Sequence, residues 1–538
     1  MFVKITKSNG YQYVQIVKAY RENRKVKHEV MLNLGRLDAI ENNPSIQRLG
    51  QRLMEISRAK DVVGFDNISE AKILNWGYII YKRLWQKFGL DGLLDRIQAR
   101  GRTKFILSDT SLLMVLSHLL DPRSKLGTHL RQERYAKLPD VNLNSMYRAL
   151  DILCEAKDLI EEELFFQNRN LFNMAVDMVF YDVTTFSFES VKADSLKDFG
   201  FSKNGKFNEV QVVMGLIVDQ QGRPIGYDLF PGNTFDGSTI DAALEKLEKR
   251  FSIRKVIIVA DKGINSKLNL KKITDKGYGY IFACRIKAMG KNILSELTAD
   301  SFAEIEHEQE KIKYKVIDHT NRFKADQKVY ELKEKLIITY SLKRVEKDRA
   351  DRQRLIDKAN GLLSQQSKIA ASNKRGGKKY LKATSATSWV LDEAAIKKDE
   401  VYDGYYGIVT GETDLKPEDI LDAYHSLWKI EESFRIMKST LEVRPVFHWT
   451  EKRIKGHFVI CFLAFLLERT LELKLKDLEE ASPENIREAI NSLNFAQVEI
   501  DSKKYYIKTT GTALSNKILR KLKIGPPKNI MAVEEFNP

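Results

Sequence analysis

From about Ala175 the apolar residues change their spacing, and no other feature limits the fold as tightly. "AVDMVFYDVTTFSFES" reads as a long strand, and "NEVQVVMGLIVDQQGRPIGYDLF" as a hairpin turning at Gln220-Gln221-Gly222-Arg223. "DGSTIDAALEKLEKRF" has helical periodicity with Asp236 or Ser238 as its cap. "RKVIIVADKG" is an apolar run of the kind buried on both faces of a sheet. "SKLNLKKITDKG" is a helix ending at Gly277, and "YGYIFACRI" is one more strand. Three strands, helix, strand, helix, strand predict an α/β layered domain around a mixed sheet.

The flanks differ. Residues 1 to about 38 predict a small sheet from "YQYVQIVKAY" and "KVKHEVMLNLG", whose lysines either meet a polyanion or keep an edge soluble. Residues from about 40 to 170 read helical, with Ser108 or Asp109 capping "SDTSLLMVLSHLL". Basic turns such as "DPRSK" and "RQERYAK" suit either a helix-turn-helix reader or a plain helical packing domain. From Arg285 to Tyr402 the chain is highly charged, with strand-like "KIKYKVID" and "KLIITYSL", the helix "KRVEKDRADRQRLIDKANGLLSQ" and the basic loop "NKRGGKK". That stretch predicts an insertion with its own structure. The strand "YYGIVTGETD" follows, then one helix, "KPEDILDAYHSLWKIEESFRIMKSTLEV". Pro417, Glu418 and Asp419 mark its start and Pro445 bounds its end.

At 538 residues the chain exceeds one core. Its formal net charge of +16 favours a polyanionic partner, nucleic acid before a membrane surface, over a merely basic exterior. "MFVKITKSNG" has no apolar signal core. "FVICFLAFLL" is far short of the roughly 20 residues that span a bilayer, so it predicts a buried helix. Cys154, Cys284 and Cys461 form no CxxC pair, and the histidines show no metal-ligand spacing, so His457 reads as structural. A reducing cytoplasm is the expected compartment.

Three carboxylates stand out. In "AVDMVFYDVTT" Val176, Met178 and Phe180 share a face with Asp182, and Asp177 takes the other. An aspartate closing an apolar face is costly without a cation or donors beside it. "VIIVADKG" delivers Asp261 at the carboxyl end of its strand, where open α/β sheets set their ligands. On the helix, about 100° per residue puts Tyr424, Leu427, Glu431, Arg435 and Lys438 in one stripe and turns Glu432 to solvent. Taken alone, Glu431 and Arg435 are a surface pair. With Asp182 and Asp261, Glu431 completes a set of hard oxygen ligands suited to Mg²⁺ and to in-line displacement at a phosphodiester.

These motifs resemble the DDE transposases of bacterial insertion sequences, in the group with a Y-R-E-K signature. "YDVTTF" supplies Asp182, "VADKG" supplies Asp261, and "GNTFDGST" resembles a segment between them. Tyr424, Glu431 and Lys438 match the signature spacing, while its arginine position holds Leu427. Lys429 and Arg435 are the nearby alternatives for that cation, and only Arg435 shares the stripe. The resemblance covers about Ala175 to Arg469 and implies a ribonuclease-H-like catalytic sheet interrupted by a β-rich insertion.

The segments expected on this basis are a small sheet and linker (1–60), a helical, DNA-binding candidate (61–170), the first part of the catalytic core (171–284), the insertion (285–403), the second part of the core (404–475) and a C-terminal region (476–538). The resemblance implies metal-dependent strand cleavage and strand transfer with two Mg²⁺ ions, Mn²⁺ able to replace them. It implies double-stranded DNA as partner, at terminal inverted repeats and target, with a dimer in the DNA complex, no membrane, and work at the nucleoid. Tyr424, Arg435, Lys438 and Lys262 are the expected DNA contacts, with Thr184 behind the site. Trp389 is either a base trap or a packing anchor. Two other readings keep the same residues: a DNA-binding repressor that has lost catalysis, and a ribonuclease-H-like nuclease without strand transfer.

Overall fold

The computed structural model describes residues 1–22, 25–41, 43–57, 71–172, 177–188, 192–200, 209–253, 255–289, 292–298, 301–307, 310–325, 327–364, 369, 376–385, 388–443, 446, 448–500 and 503–538. Residues 61–70 of the expected helical segment, 175 and 176 of the long strand, 373–375 of the basic loop, and Pro445 lie outside them. The chain forms two compact units, one of Met1–Lys72 with Gln497–Tyr506 and Met531–Val533, and one of Ile73–Ala496 with Ile507–Ile530 and Glu534–Pro538.

The first unit contains strands β1 (Phe2–Ser8), β2 (Tyr11–Glu22) and β3 (Lys25–Arg36), an antiparallel sheet in that order. Asn9 and Gly10, with φ of 47° and 81°, make the two-residue loop that β-hairpins favour. Val14 and Val17 are buried while Val3, Ile5 and Val30 face solvent. Two helices follow, α1 (Leu37–Ile40) and α2 (Pro44–Ser57).

The second unit takes up the chain at Ile73, within β4 (Ala71–Asn75). Helices α3 (Ile79–Lys87), α4 (Leu90–Ala99), α5 (Leu107–Leu120), α6 (Lys125–Leu130) and α7 (Leu143–Phe172) come next. Helix α5 begins one residue before the predicted cap: the Leu107 N–H donates to Gln98 Oε1 at 2.6 Å, and Asp109 sits in the first turn. It is buried on nearly every side, which excludes it as a surface reader of DNA.

Strands β5 (Met178–Ser187), β6 (Gln211–Asp219) and β7 (Pro224–Pro231) precede helix α8 (Ile240–Glu245), which runs into a π-turn at Lys246–Arg250. The predicted cap there moves to Thr239, because Asp236–Ser238 forms a 3-10 turn first. Then come β8 (Ile257–Ala260), α9 (Lys267–Asp275) capped by Ser266, and β9 (Gly279–Cys284). Helix α10 (Asn292–Thr298) leads to β10 (Ala303–His307), β11 (Glu310–Ala325) and β12 (Lys328–Tyr340). Helix α11 (Leu342–Leu363), a ribbon of β13 (Leu381–Ala383) and β14 (Trp389–Leu391), and α12 (Glu393–Glu400) lead to β15 (Tyr405–Thr410).

The sheet order is β10-β11-β12-β15-β9-β8-β5-β6-β7. Only β5 with β8 and β8 with β9 run parallel. The insertion expected at 285–403 supplies β10, β11 and β12. Its three strands hydrogen-bond into the main sheet, because β15 pairs with β9 on one side and β12 on the other. What stands apart is α11 with the ribbon and α12, around a small core of Ala359, Ile369, Tyr380 and Leu381 on which Trp389 packs.

One helix, predicted from Pro417 onward, is two: α13 (Pro417–His425) and α14 (Trp428–Arg435), with a π-turn at Ile436–Thr440. Beyond it α15 (Glu451–Leu475) is buried from Gly456 to Leu471, as its apolar run predicts, and packs on α5, α7 and β7. Its Gly456 lies so close to α7 that a Cβ would meet the Leu150 carbonyl oxygen at 2.0 Å. Beneath β7, Glu161 of α7 holds Lys246 at 2.9 Å and Lys157 at 3.1 Å, and accepts the Tyr227 N–H at 2.9 Å. Among the described residues no helix is long and apolar enough to cross a membrane.

Candidate active site

In the parallel β5/β8 pair Tyr181 lies opposite Ala260. Asp182, within β5, and Asp261, just past the carboxyl end of β8, are the next residues along the two strands, and both are half-buried. The neighbour Tyr181 points the other way. Its hydroxyl donates to Thr239 Oγ1 at 2.8 Å, and Gly215 leaves room for its ring, since a Cβ there would meet the hydroxyl at 2.4 Å. The Asp182 face continues through Thr184 and Phe186, and Phe186 meets Phe458 of α15 edge-on at 5.3 Å. Both faces of β5 are covered, so its alternation is one of partners rather than of core against water.

Helices α13 and α14 lie on this face, α13 against β8 and β9, and α14 against β5. Their break alters the predicted stripe. Leu427 N–H reaches the Tyr424 carbonyl and Ile430 N–H the Leu427 carbonyl, tight turns that change the winding, and the π-turn changes it again. The two adjacent carboxylates therefore differ from the predicted burial. Glu431 is exposed. Glu432, predicted to face solvent, is half-buried and accepts from Arg469 of α15 at 3.0 Å. Arg435 pairs with Glu432 at 3.4 Å, and its side chain is 71% exposed. Leu427 is buried, and Lys429 donates to the Gln220 carbonyl at 2.6 Å, tying α14 to the β6–β7 turn.

Both remaining signature side chains are fixed to the sheet. Lys438, in the π-turn, donates to Thr184 Oγ1 at 2.6 Å. The Tyr424 hydroxyl is hydrogen-bonded to that of Tyr406 on β15. Burial raises the Tyr424 phenol well above its ordinary range, and Tyr406, Asp261 and Glu431 add to this, so its ring lies within the field of both carboxylates. Tyr406 is pushed up to about 12, by burial first and by Asp261. Tyr406 passed unmarked in the sequence; its adjacency to Tyr405 at a strand start was the only sign.

Two clefts flank this pair. One, of roughly 390 Å³, is lined by Tyr424, Leu427, Glu431, Lys347, Arg344 and Tyr406, among others. The second, of roughly 510 Å³, is lined by Lys262, Arg285, Arg352 and Asp348, with Arg344 and Tyr406 again in its wall. The "GNTFDGST" segment is drawn to the loop after β8: Asn269 donates to the Gly237 and Ile264 carbonyls at 2.7 and 2.8 Å. Asp236 Oδ2 would lie 3.7 Å from a Cβ at Gly263, beside the Asp261 loop.

The donors Asp182, Asp261 and Glu431 are all carboxylate, with Asp236 near, a set suited to a hard divalent cation. Their oxygens do not all lie within 4.8 Å of one another; among the described residues that spacing is met by His118, His457 and Cys461. The expectation that histidines do not cluster is thus corrected. His118 (α5) and His457 (α15) bond the Leu441 and Val443 carbonyls at 3.1 and 3.2 Å, and the His448 ring lies 5.3 Å from His457. The buried Lys125 amine lies 3.3 Å from His118 Nε2. These residues pin the chain just beyond Lys438. Trp389 is half-buried, with Lys378 5.5 Å over its ring.

A family model described as the transposase DDE domain matches residues 177–467, more than half of the chain. One described as the N-terminal domain of IS1634 family transposases matches residues 3–62. No curated protein matches the chain. Among solved structures it is similar to the piggyBac transposase synaptic complex with hairpin DNA, at a TM-score of 0.36 and 9% identity over 79% of this chain and 83% of that one. It is also similar to the Mos1 transposase paired-end complex with the left transposon end, at a TM-score of 0.15 and 12% identity over 34% of this chain and 60% of that one.

Proposed function

Since this chain belongs to the DDE transposase family and is a DNA transposase, we propose that Asp182, Asp261 and Glu431 are its catalytic carboxylates. The observation that carries this reading is the parallel β5/β8 register, which sets Asp182 and Asp261 side by side under the helix bearing Glu431. On this reading strands β5 to β9 with β15 are a ribonuclease-H-like core, and β10 to β12 extend it.

The three carboxylates would hold the divalent cations on which the family depends, Mg²⁺ or Mn²⁺. When bound, a pair of such ions supplies Lewis acidity to the attacking and leaving oxygens of an in-line displacement. The chain's own residues do the rest. Lys438, braced by Thr184, sets a point charge against a backbone phosphate beside Asp182. Tyr424, braced by Tyr406, offers a neutral hydroxyl and a flat face, because burial keeps the phenol protonated. Lys262 neutralises a phosphate in the adjoining cleft, and Arg435 does so from the outer surface. The substrate is double-stranded DNA, at the element's terminal repeats and then at a target, within the nucleoid. Joining two ends requires two protomers on the DNA.

The test is a cleavage assay with Mg²⁺ and DNA carrying the flanks of the protein's own gene. Wild type should nick at a repeated end sequence and transfer the 3′ end. Asp182→Asn, Asp261→Asn and Glu431→Gln should bind the same DNA without nicking it. Normal cleavage by any of the three variants would remove that residue from the site. Binding without nicks by wild type would favour the repressor reading.

A further inference from the structure

We propose that Arg344, at the start of α11, is a binding residue for a DNA phosphodiester passing between the two clefts. The inference rests on the reading above and concerns a residue outside its motifs. Arg344 and Tyr406 line both clefts, so they form the wall between Lys262 on one side and Tyr424 and Glu431 on the other. The cleft that holds Glu431 presents a carboxylate and, at position 427, a leucine. Any phosphate approaching Glu431 needs cations beside it. Among the lining residues those cations come from α11, as Arg344 and Lys347.

The guanidinium is prepared for this. Ser341 caps α11 by accepting the Arg344 N–H at 3.3 Å, which fixes the backbone of the first turn. Arg344 Nε bonds to Asp348 at 3.1 Å, and Asp348 is itself held by the Gly404 N–H at 3.2 Å. The Arg344 Cζ lies 5.0 Å from the Tyr406 ring centre. Only Nε is engaged. The two terminal amino groups have no hydrogen-bonding partner among the described residues, and the side chain is about one-third exposed, at 34%. A planar fork, braced at one edge and stacked on one face, presents its remaining donors as phosphate recognition requires. The same Tyr406 braces Tyr424, so one tyrosine sets both groups that would flank the phosphate.

The test uses the full chain and a duplex oligonucleotide with the gene's own flanks. Arg344→Ala should bind these ends about tenfold more weakly. Its slope of log affinity against log salt should fall by about one, the loss of one phosphate contact. Arg344→Lys should recover the slope but only part of the affinity, because a lysine lacks the fork. Leu427→Arg lines the same cleft and, added to Arg344→Ala, should restore the slope. Wild type that neither binds nor cuts overturns the parent reading and this inference together. Wild type that binds and cuts, beside an Arg344→Ala protein of unchanged slope and affinity, overturns this inference alone. A melting temperature lost in Arg344→Ala, with no recovery of salt slope in the Leu427→Arg double variant, makes Arg344 a structural residue and also overturns it.

Discussion

Lys438 Nζ lies 2.6 Å from Thr184 Oγ1, so the lysine after the glutamate helix is bonded to the strand residue two places beyond Asp182. Helix and strand are joined at that point by one hydroxyl. Thr184→Val keeps the shape and removes the acceptor. The expected outcome is cleavage slowed about tenfold with the fold intact, against a larger loss in Lys438→Ala. Equal rates for Thr184→Val and wild type would show that the lysine is oriented without the bond.

The tyrosine pair predicts an asymmetry. Tyr406→Phe takes away the partner of Tyr424 but leaves its hydroxyl to meet DNA, so end binding should weaken only a few-fold. Tyr424→Phe removes that hydroxyl and should cost more. Binding titrations of the two variants on the same ends would show the order, and a reversed order would assign the DNA contact to Tyr406.

Glu431 and Glu432 should separate activity from stability. Glu432→Gln removes the charge from a half-buried pair with Arg469 and is predicted to cost about 1–2 kcal/mol of stability, read from urea unfolding. Glu431→Gln, on an exposed position, should leave stability unchanged and abolish cleavage. A stability loss in Glu431→Gln equal to that in Glu432→Gln would contradict the assignment.

The buried histidines set the acid limit. Burial first, and then Lys125, hold His118 and His448 down to about 3, and His457 well below its ordinary value of 6.5. The folded chain keeps them neutral while the unfolded chain protonates them below 6.5. Their contribution is complete above pH 6.5 and is lost as pH falls from there toward 3, by up to about 1.4 kcal/mol per unit for each histidine. The urea midpoint should be level from pH 8 to 6.5 and fall steeply below it. A midpoint unchanged between pH 7 and 5 would count against buried neutral histidines.

Glu161 tests the ion cluster under β7. Removing it leaves Lys246, equally buried, without its nearest carboxylate. Glu161→Ala should cost about 3–5 kcal/mol, and the Glu161→Ala, Lys246→Met pair less than that. A double variant no more stable than the single would refute mutual compensation.

The placement of Asp182 and Asp261 on neighbouring strands was legible because each depends on a few neighbours in one strand, and strand alternation is local. The helix geometry was less so. A constant 100° per residue has no term for the break at Leu427 or the π-turn after Arg435, which lie where α14 meets the sheet and Glu432 meets Arg469. The joining of β12 to β15 also escaped a local reading, since the residues between Tyr340 and Tyr405 separate the partners. The cluster joins His118 of α5 to His457 and Cys461 of α15, so the spacing of four within α15 shows only part of it.

The position of β15 also orders events during synthesis. Strands β10 to β12 leave the ribosome as an antiparallel meander whose inner edge, β12, has no partner until Tyr405–Thr410 emerges. Until then β9 is an open edge too. A nascent chain ending before Tyr405 therefore carries two unpaired sheet edges, the kind of surface that recruits other chains. Closing the sheet with one late strand ties folding of the core to translation past residue 410.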